Sequence, residues 1–298
     1  MALNISIAGG DTRQFYMLHR LISKLNNKDY FIKYYQPGSR PLEFQILQNA
    51  YSHTFAVCSD MEELLADCHI FLGPAPFSRD GIHLFSSDAN IRIPLNEFRK
   101  CRNLKYLFGG NIPKSVISEF SDNITEIYDF MKIEEFVQLN SELTAEGLLK
   151  DIIANTPVSI NNSHILISGY GNCGKRIAEK LSALGGIIYI YDKFADVNLS
   201  AQEQGYTSIN IHQEQSSLPS FDFVVNTVPA LIYETPFLRK LRKSCVLFEV
   251  ASSPGGFDEN ICQGLSLKLV SCPGIPGKTA PKTAGYAMAD CILAKLEI

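Results

Sequence analysis

The chain has 298 residues, 46% of them hydrophobic and 19% charged, with a formal net charge of -4. That length and apolar content suit two α/β domains with real cores. The mild negative charge and the lack of any basic run exclude a nucleic-acid groove, and no stretch approaches the ~18 apolar residues of a membrane span. Met1-Ala-Leu-Asn lacks the basic and apolar regions of a signal peptide, so a cytoplasmic location is expected. The eight cysteines contain no C-x-x-C pair and no nearby histidine cluster. No metal site is expected from them, and they read as small buried hydrophobes with one or two loop thiols in a reducing compartment.

In chain order, Leu3-Asn-Ile-Ser-Ile-Ala alternates and then meets Gly9-Gly10-Asp11. Phe15, Leu18, Ile22 and Leu25 follow at helical spacing, which predicts a strand, a tight glycine turn and a helix. Tyr30 to Tyr35 reads as a second strand, and Asp60-Met-Glu-Glu opens a short helix with a capping-box pattern. His69 to Gly73 and Leu104 to Phe108 read as further strands, each running into Gly or Pro. Strands alternating with helices predict a mainly parallel sheet over residues 1–128, the substrate-binding or catalytic domain. Residues 129–157 read as a helical connection, broken near Asn140-Ser141 and stopped by Asn155-Thr-Pro157.

A second domain is expected over residues 158–275. His164 to Ser168 is a strand, Gly169-Tyr-Gly-Asn-Cys-Gly174 a turn, and Ile177, Leu181 and Leu184 mark one helix face ended by Gly185-Gly186. Ile187 to Tyr191 runs into Asp192, and strands follow at Phe221 to Asn226, Cys245 to Val250 and Leu267 to Ser271. Residues 276–298 form a loop and a final helix, Thr283 to Leu296, packing back toward the first domain. The fold class is therefore α/β, with two Rossmann-like doubly wound domains.

The glycine pattern predicts a nicotinamide dinucleotide site. A lone G-x-G-x-x-G is weak, but this one follows an apolar strand, opens an amphipathic helix and precedes Asp192 at the end of the next strand. Gly169 permits the tight turn, Gly171 lets the pyrophosphate approach the backbone, and Gly174 lets helix and strand pack closely. The exposed amides of the turn, whose residues include Tyr170, Asn172 and Cys173, and the positive end of the helix dipole then hold the phosphates. Asp192 suits the adenosine ribose of NAD, while neighbouring Lys193 reaches a 2′-phosphate, so NAD and NADP both stay in view. Ligands in such sheets lie beyond the carboxyl ends of the strands. That edge carries Asn226-Thr227-Val228-Pro229, Ala251-Ser252 and the loop from Cys272 to Lys282, all suited to close approach of a flat nicotinamide ring.

These residues resemble the dipicolinate synthase A-subunit family. Ile7-Ala-Gly-Gly-Asp-Thr-Arg-Gln14 is similar to its N-terminal signature, and Asn140-Ser-Glu-Leu-Thr-Ala-Glu-Gly147 to its inter-domain helix motif. Asn226-Thr-Val-Pro229, Ser253-Pro-Gly-Gly256, Pro273-Gly-Ile-Pro-Gly277 and Ala280-Pro-Lys-Thr-Ala-Gly285 match in the same order. The resemblance implies a formate/glycerate dehydrogenase-like arrangement, NADP as cofactor, and NAD(P)-dependent oxidation of dihydrodipicolinate to dipicolinate during sporulation. It also implies a partner, the flavoprotein-like B subunit, beside which a homo-oligomer is admitted. The chain departs from the family by carrying Asp192-Lys193 and Ser252-Ser253 where members place arginine-like charge.

Oxidising a dihydropyridine dicarboxylate calls for cationic clamps and a proton acceptor. Arg13 and Lys282 are the candidate clamps. Asp11 and Glu146 are the candidate acceptors, each equally at home as a helix cap or solvated carboxylate. His83 reads as a loop residue. A 2-hydroxy-acid dehydrogenase is disfavoured, because Ser252-Ser253 and Cys272-Pro273 stand where that enzyme needs Arg and His. The alternative from another class is a non-catalytic nucleotide-binding subunit that assembles or regulates a partner enzyme.

Overall fold

The computed structural model describes residues 3–25, 29–35, 42–88, 90–120, 126–212 and 218–297. The chain divides into two units, Met1–Leu139 with Ala280–Ile298, and Asn140–Thr279.

The first unit opens with β1 (Leu3–Ala8), α1 (Thr12–Leu25), β2 (Tyr30–Tyr35), α2 (Leu42–Ala50), β3 (Phe55–Val57), α3 (Met61–Leu65) and β4 (Ile70–Leu72). A short antiparallel pair, β5 (His83–Leu84) with β6 (Ile93–Pro94), leads into a 3-10 turn at Leu95–Lys100. β7 (Tyr106–Gly109), α4 (Lys114–Phe120) and β8 (Glu126–Asp129) follow. The main sheet is parallel in the order β3-β2-β1-β4-β7-β8. Its two faces are covered by separate clusters: Ile5, Ile7, Met17 and Leu21 on one, Phe71, Phe77, Phe98 and Leu107 on the other. Near-continuous burial along β1 and β4 is what a parallel strand covered on both faces requires. At α3, Asp60 accepts from the Glu63 amide at 2.8 Å, while the Glu63 carboxylate reaches back to the Ser59 amide at 2.7 Å. This is the capping box, displaced by one residue on the return bond.

α5 (Glu134–Asn155) is one unbroken helix of 22 residues, preceded by a 3-10 turn at Phe130–Lys132. The break expected near Asn140-Ser141 does not occur. The Thr144 hydroxyl bonds the Asn140 carbonyl at 2.7 Å, and Ser141 is buried, so local contacts offset the weak helix propensity of the pair.

The second unit continues with β9 (His164–Ser168), α6 (Asn172–Ala183), β10 (Ile187–Tyr191), α7 (Ala195–Glu203), β11 (Thr207–Ser208) and β12 (Phe223–Asn226). Then come α8 (Thr235–Leu238), β13 (Val246–Glu249), α9 (Glu259–Gly264), β14 (Lys268–Ser271) and α10 (Ile275–Thr279). The parallel sheet runs β11-β10-β9-β12-β13-β14, the same winding as the first. α6 ends as a Schellman turn: Gly185, at φ +82, donates to Ser182 at 2.8 Å, and Gly186 to Leu181 at 3.0 Å. Leu184, expected on the buried face, is instead the exposed residue at that cap. The expected fold class of two doubly wound α/β domains is therefore present.

α11 (Pro281–Lys295) belongs to the first unit and lies against α1. The approach is close because position 285 is glycine: a Cβ there would sit 2.5 Å from the Arg13 carbonyl oxygen. Met17, Leu21, Met288 and Ile292 are fully buried in that cluster, each contributing roughly 1.5–3 kcal/mol.

Candidate functional site

In the second unit, β9 delivers the chain to its carboxyl edge and the three glycines turn it into α6. Gly169 has φ +86, and a Cβ on it would meet the Thr227 hydroxyl at 2.4 Å. A Cβ on Gly174 would lie 1.9 Å from the Gly169 carbonyl oxygen, so any side chain there would part helix from strand. Gly171 differs. A Cβ there meets nothing within 4 Å. Its missing side chain serves no packing need of the protein and leaves open space before the first turn of α6. Gly171 caps α6 without a side-chain hydrogen bond, so the Asn172, Cys173 and Gly174 amides have no acceptor among the described residues. Bare amides, a helix dipole and open room above Gly171 fit a diphosphate.

Asp192, just past β10, accepts from the Tyr170 amide at 2.9 Å through one oxygen and from the Phe194 amide at 3.1 Å through the other. Each oxygen keeps a second lone pair for a ribose hydroxyl. Asn198, which carries no motif in the sequence, clamps the Asp192 backbone on both sides, at 3.0 Å to its N–H and 2.6 Å to its carbonyl. Lys193 is exposed, with its ammonium 4.7 Å from the Phe194 ring centre.

The loop after β12 is tied to the glycine turn. The Thr227 hydroxyl bonds the carbonyls of Ser168 at 2.9 Å and Gly169 at 3.2 Å. Asn226 is fully buried; its side-chain nitrogen donates to the Val228 carbonyl at 2.8 Å and to Glu249 at 2.7 Å. Glu249 organises the next loop, accepting from the Ala251 amide at 3.0 Å and the Gly256 amide at 2.7 Å. Burial raises its pKa above the ordinary 4.5, while the hydrogen bonds from Asn226, Gly256 and Ala251 pull the other way. The same pair explains Gly255-Gly256: Cβ atoms there would meet Glu249 at 2.8 Å and Asn226 at 2.5 Å. Sequence reasoning missed Glu249 because it ends an apolar strand with no motif of its own. Ser252 is exposed on this loop, Pro229 is exposed beside half-buried Val228, and the Cys173 thiol lies 3.6 Å from the Ser141 hydroxyl.

Each of the remaining candidate residues has contacts of its own. Glu146, on α5, is exposed and 3.7 Å from the Lys180 ammonium, which also pairs with Glu142. In the first unit, Asp11 and Arg13 form a bidentate ion pair at 2.8 Å on each arm, with Arg13 buried and also bonded to the Ala75 carbonyl. The Asp11 carboxylate additionally accepts from the Arg13 amide at 3.0 Å. Lys282 is exposed on α11, 5.6 Å from the Tyr286 ring centre, on a groove of about 450 Å³ also lined by Phe136 and Asp290. No hydrogen bond or ion pair joins Lys282 to Asp11 or Arg13 among the described residues. His83 is more than a passive loop residue: its Nδ1 lies 2.7 Å from Asp80, whose pKa is held far below the usual range by that imidazole and the amides of His83 and Ile82.

All eight cysteines are free thiols, and burial pushes Cys245 and Cys272 up to about 12. Among the described residues there is no group of metal-ligating side chains and no helix long and apolar enough to cross a membrane.

Comparison with known proteins divides the chain near the same place. Residues 4–131 match the N-terminal domain of the dipicolinate synthase A-subunit, and residues 131–251 match the NAD-binding domain of D-isomer specific 2-hydroxyacid dehydrogenases. The dipicolinate synthase A-subunit of Bacillus subtilis (strain 168) is 29% identical over 157 residues, 53% of this chain and 52% of that protein, so the aligned stretch spans about half of the relative. Among solved structures, the dipicolinate synthase A-subunit from Bacillus halodurans superposes with a TM-score of 0.83 at 23% identity, covering 99% of this chain and 98% of that one. Its Bacillus subtilis counterpart gives 0.79 at 21% identity, covering 100% and 96%. A transhydrogenase from Sinorhizobium meliloti gives 0.66 at 11%, covering 99% and 93%. These low identities speak for the fold alone. The second unit thus carries an NAD-binding domain, consistent with NAD or NADP as cofactor. The resemblance to the dipicolinate synthase A-subunit holds, and it is carried by residues 4–131, which match the N-terminal domain of that subunit.

Proposed function

We propose that this chain is a nicotinamide-nucleotide-dependent oxidoreductase subunit that converts dihydrodipicolinate to dipicolinate during sporulation in the cytoplasm, working beside a flavoprotein-like B subunit. The observation that carries the reading is the open turn at Gly171, on a domain of NAD-binding type joined to an N-terminal domain of the dipicolinate synthase A-subunit type.

Aromatisation removes one hydride and one proton from the dihydropyridine ring. The nucleotide, when bound, supplies the hydride acceptor. The amides of residues 171–174 hold its diphosphate, and Asp192 accepts from its ribose, with Lys193 available to a 2′-phosphate. Asn226 to Pro229 and Ala251-Ser252 shape the ground for a flat ring, held in place by Glu249. Arg13 and Lys282 are the cations assigned to substrate carboxylates, and Asp11 and Glu146 the carboxylates to test as proton acceptors.

One observation favours a second reading. Both candidate acceptors are engaged by cations, Asp11 by Arg13 and Glu146 by Lys180, and a proton on either would weaken its ion pair. A nucleotide-binding subunit that supports chemistry on a partner is that second reading. The test is the appearance of pyridine absorbance from dihydrodipicolinate with NAD or NADP, for the chain alone and with the B subunit. Turnover by the chain alone supports the first reading, turnover requiring catalytic groups of the partner supports the second, and none under either condition defeats the assignment.

A further inference from the structure

We propose that Arg79 is the anchoring cation of a small-carboxylate site on the first unit, at the carboxyl ends of β1 and β4. This rests on the dicarboxylate reading above.

The loop that carries Arg79 is pinned to the glycine turn after β1. The Gly10 amide donates to the Phe85 carbonyl at 2.6 Å, and the Ser87 amide to the Gly10 carbonyl at 2.8 Å. Phe85 is therefore fixed next to Asp11. The Arg79 guanidinium lies over the Phe85 ring, 4.2 Å from its centre. A guanidinium over a ring face makes no hydrogen bond there, and its N–H groups keep the fork geometry that matches a carboxylate.

The neighbouring charges have partners within the chain. Arg13 spends its Nε and one terminal nitrogen on Asp11, and that nitrogen also serves the Ala75 carbonyl. Asp80 turns into its own loop, accepting from the amides of Ile82 and His83 at 2.9 Å and 2.8 Å and contacting the His83 ring. Among the described residues Arg79 has no ion-pair partner. Its electrostatic neighbours are Asp11, which favours its charge, and Arg13, which opposes it. Arg13 takes both oxygens of the Asp11 carboxylate, which leaves the charge of Arg79 for an anion to balance. A planar carboxylate suits the fork of Arg79.

The test is calorimetric titration of pyridine-2,6-dicarboxylate, and of its uncharged diamide, into the full chain and its Arg79→Gln and Arg79→Lys variants. Wild type should prefer the dicarboxylate. Arg79→Gln should bind it roughly tenfold or more weakly and lose the preference over the diamide, with Arg79→Lys between the two. Arg79 is exposed, so melting temperature and nucleotide binding should not change. Unchanged dicarboxylate affinity in Arg79→Gln, or equal loss of both ligands, overturns the assignment while leaving the dicarboxylate reading in place. No binding of the dicarboxylate by wild type would sink that reading, and this site with it.

Discussion

Both units set a glycine turn on the first strand of a parallel sheet with the same winding. In the second unit the turn is open: Gly171 faces empty space and the first amides of α6 have no acceptor among the described residues. In the first unit the corresponding turn is closed. The Gly10 amide is taken by Phe85, a Cβ at Gly10 would lie 2.3 Å from the Gln14 side chain, and the Asp11–Arg13 pair fills the helix entrance. Equal topology therefore does not give equal binding. What decides is whether the residues around the turn consume its amides or leave them bare, and the two turns offer different chemistry: amide donors for a diphosphate in one, guanidinium groups in the other.

The comparison breaks most readily at Gly174. Gly174→Val drives a side chain into the Gly169 carbonyl and should cost more than about 4 kcal/mol in denaturant unfolding. A loss below about 1 kcal/mol would mean that strand and helix can part at little cost. In the closed turn, Arg13→Met strands the nearly buried Asp11 carboxylate and should cost roughly 3–5 kcal/mol. Substituting both partners, Asp11→Asn with Arg13→Met, should recover much of that loss, which a double-mutant cycle measures.

A smaller effect is expected at Glu249. Glu249→Gln places an NH2 group against at least one of the donors that the carboxylate now accepts, and should cost roughly 1–3 kcal/mol. It also changes the pH dependence. Because burial raises the folded-state pKa, the folded chain holds a proton in a window above 4.5 where the unfolded chain has released it. The folded state thus binds more protons there, and this group's contribution to stability falls as pH rises through that window. The glutamine variant should lack that slope in melting curves taken on both sides of the window. The smallest effect on stability is expected at Gly171: Gly171→Val should stay within about 1 kcal/mol of wild type, since a Cβ there meets open space and the loss is that of glycine's preference at the N-cap.

The same contrast explains what the sequence made legible. The strands β1, β2, β9 and β10, and the glycine fingerprint with Asp192, are readable because their signals are local: apolar runs, a turn spacing, an acid at a strand end. α2, α4, α7 and β11 lack a sharp apolar period or caps strong enough to announce them. Leu184 keeps the helical period but falls on the cap, where a Schellman turn exposes it. Glu249, Asn198 and Arg79 are silent for another reason. Each acts through contacts with residues distant in sequence or through a loop conformation, as when Glu249 joins Asn226 to Gly256.

Calorimetric titration of NAD and NADP into the wild-type chain and Gly171→Val, side by side, tests the central claim most directly. Saturable binding of a nicotinamide nucleotide to wild type, weakened on the order of a hundredfold in a variant that stays folded and within about 1 kcal/mol of wild-type stability, is the result the open turn requires. Equal affinity in the two proteins, or no uptake of either nucleotide by wild type at millimolar concentration, would contradict it.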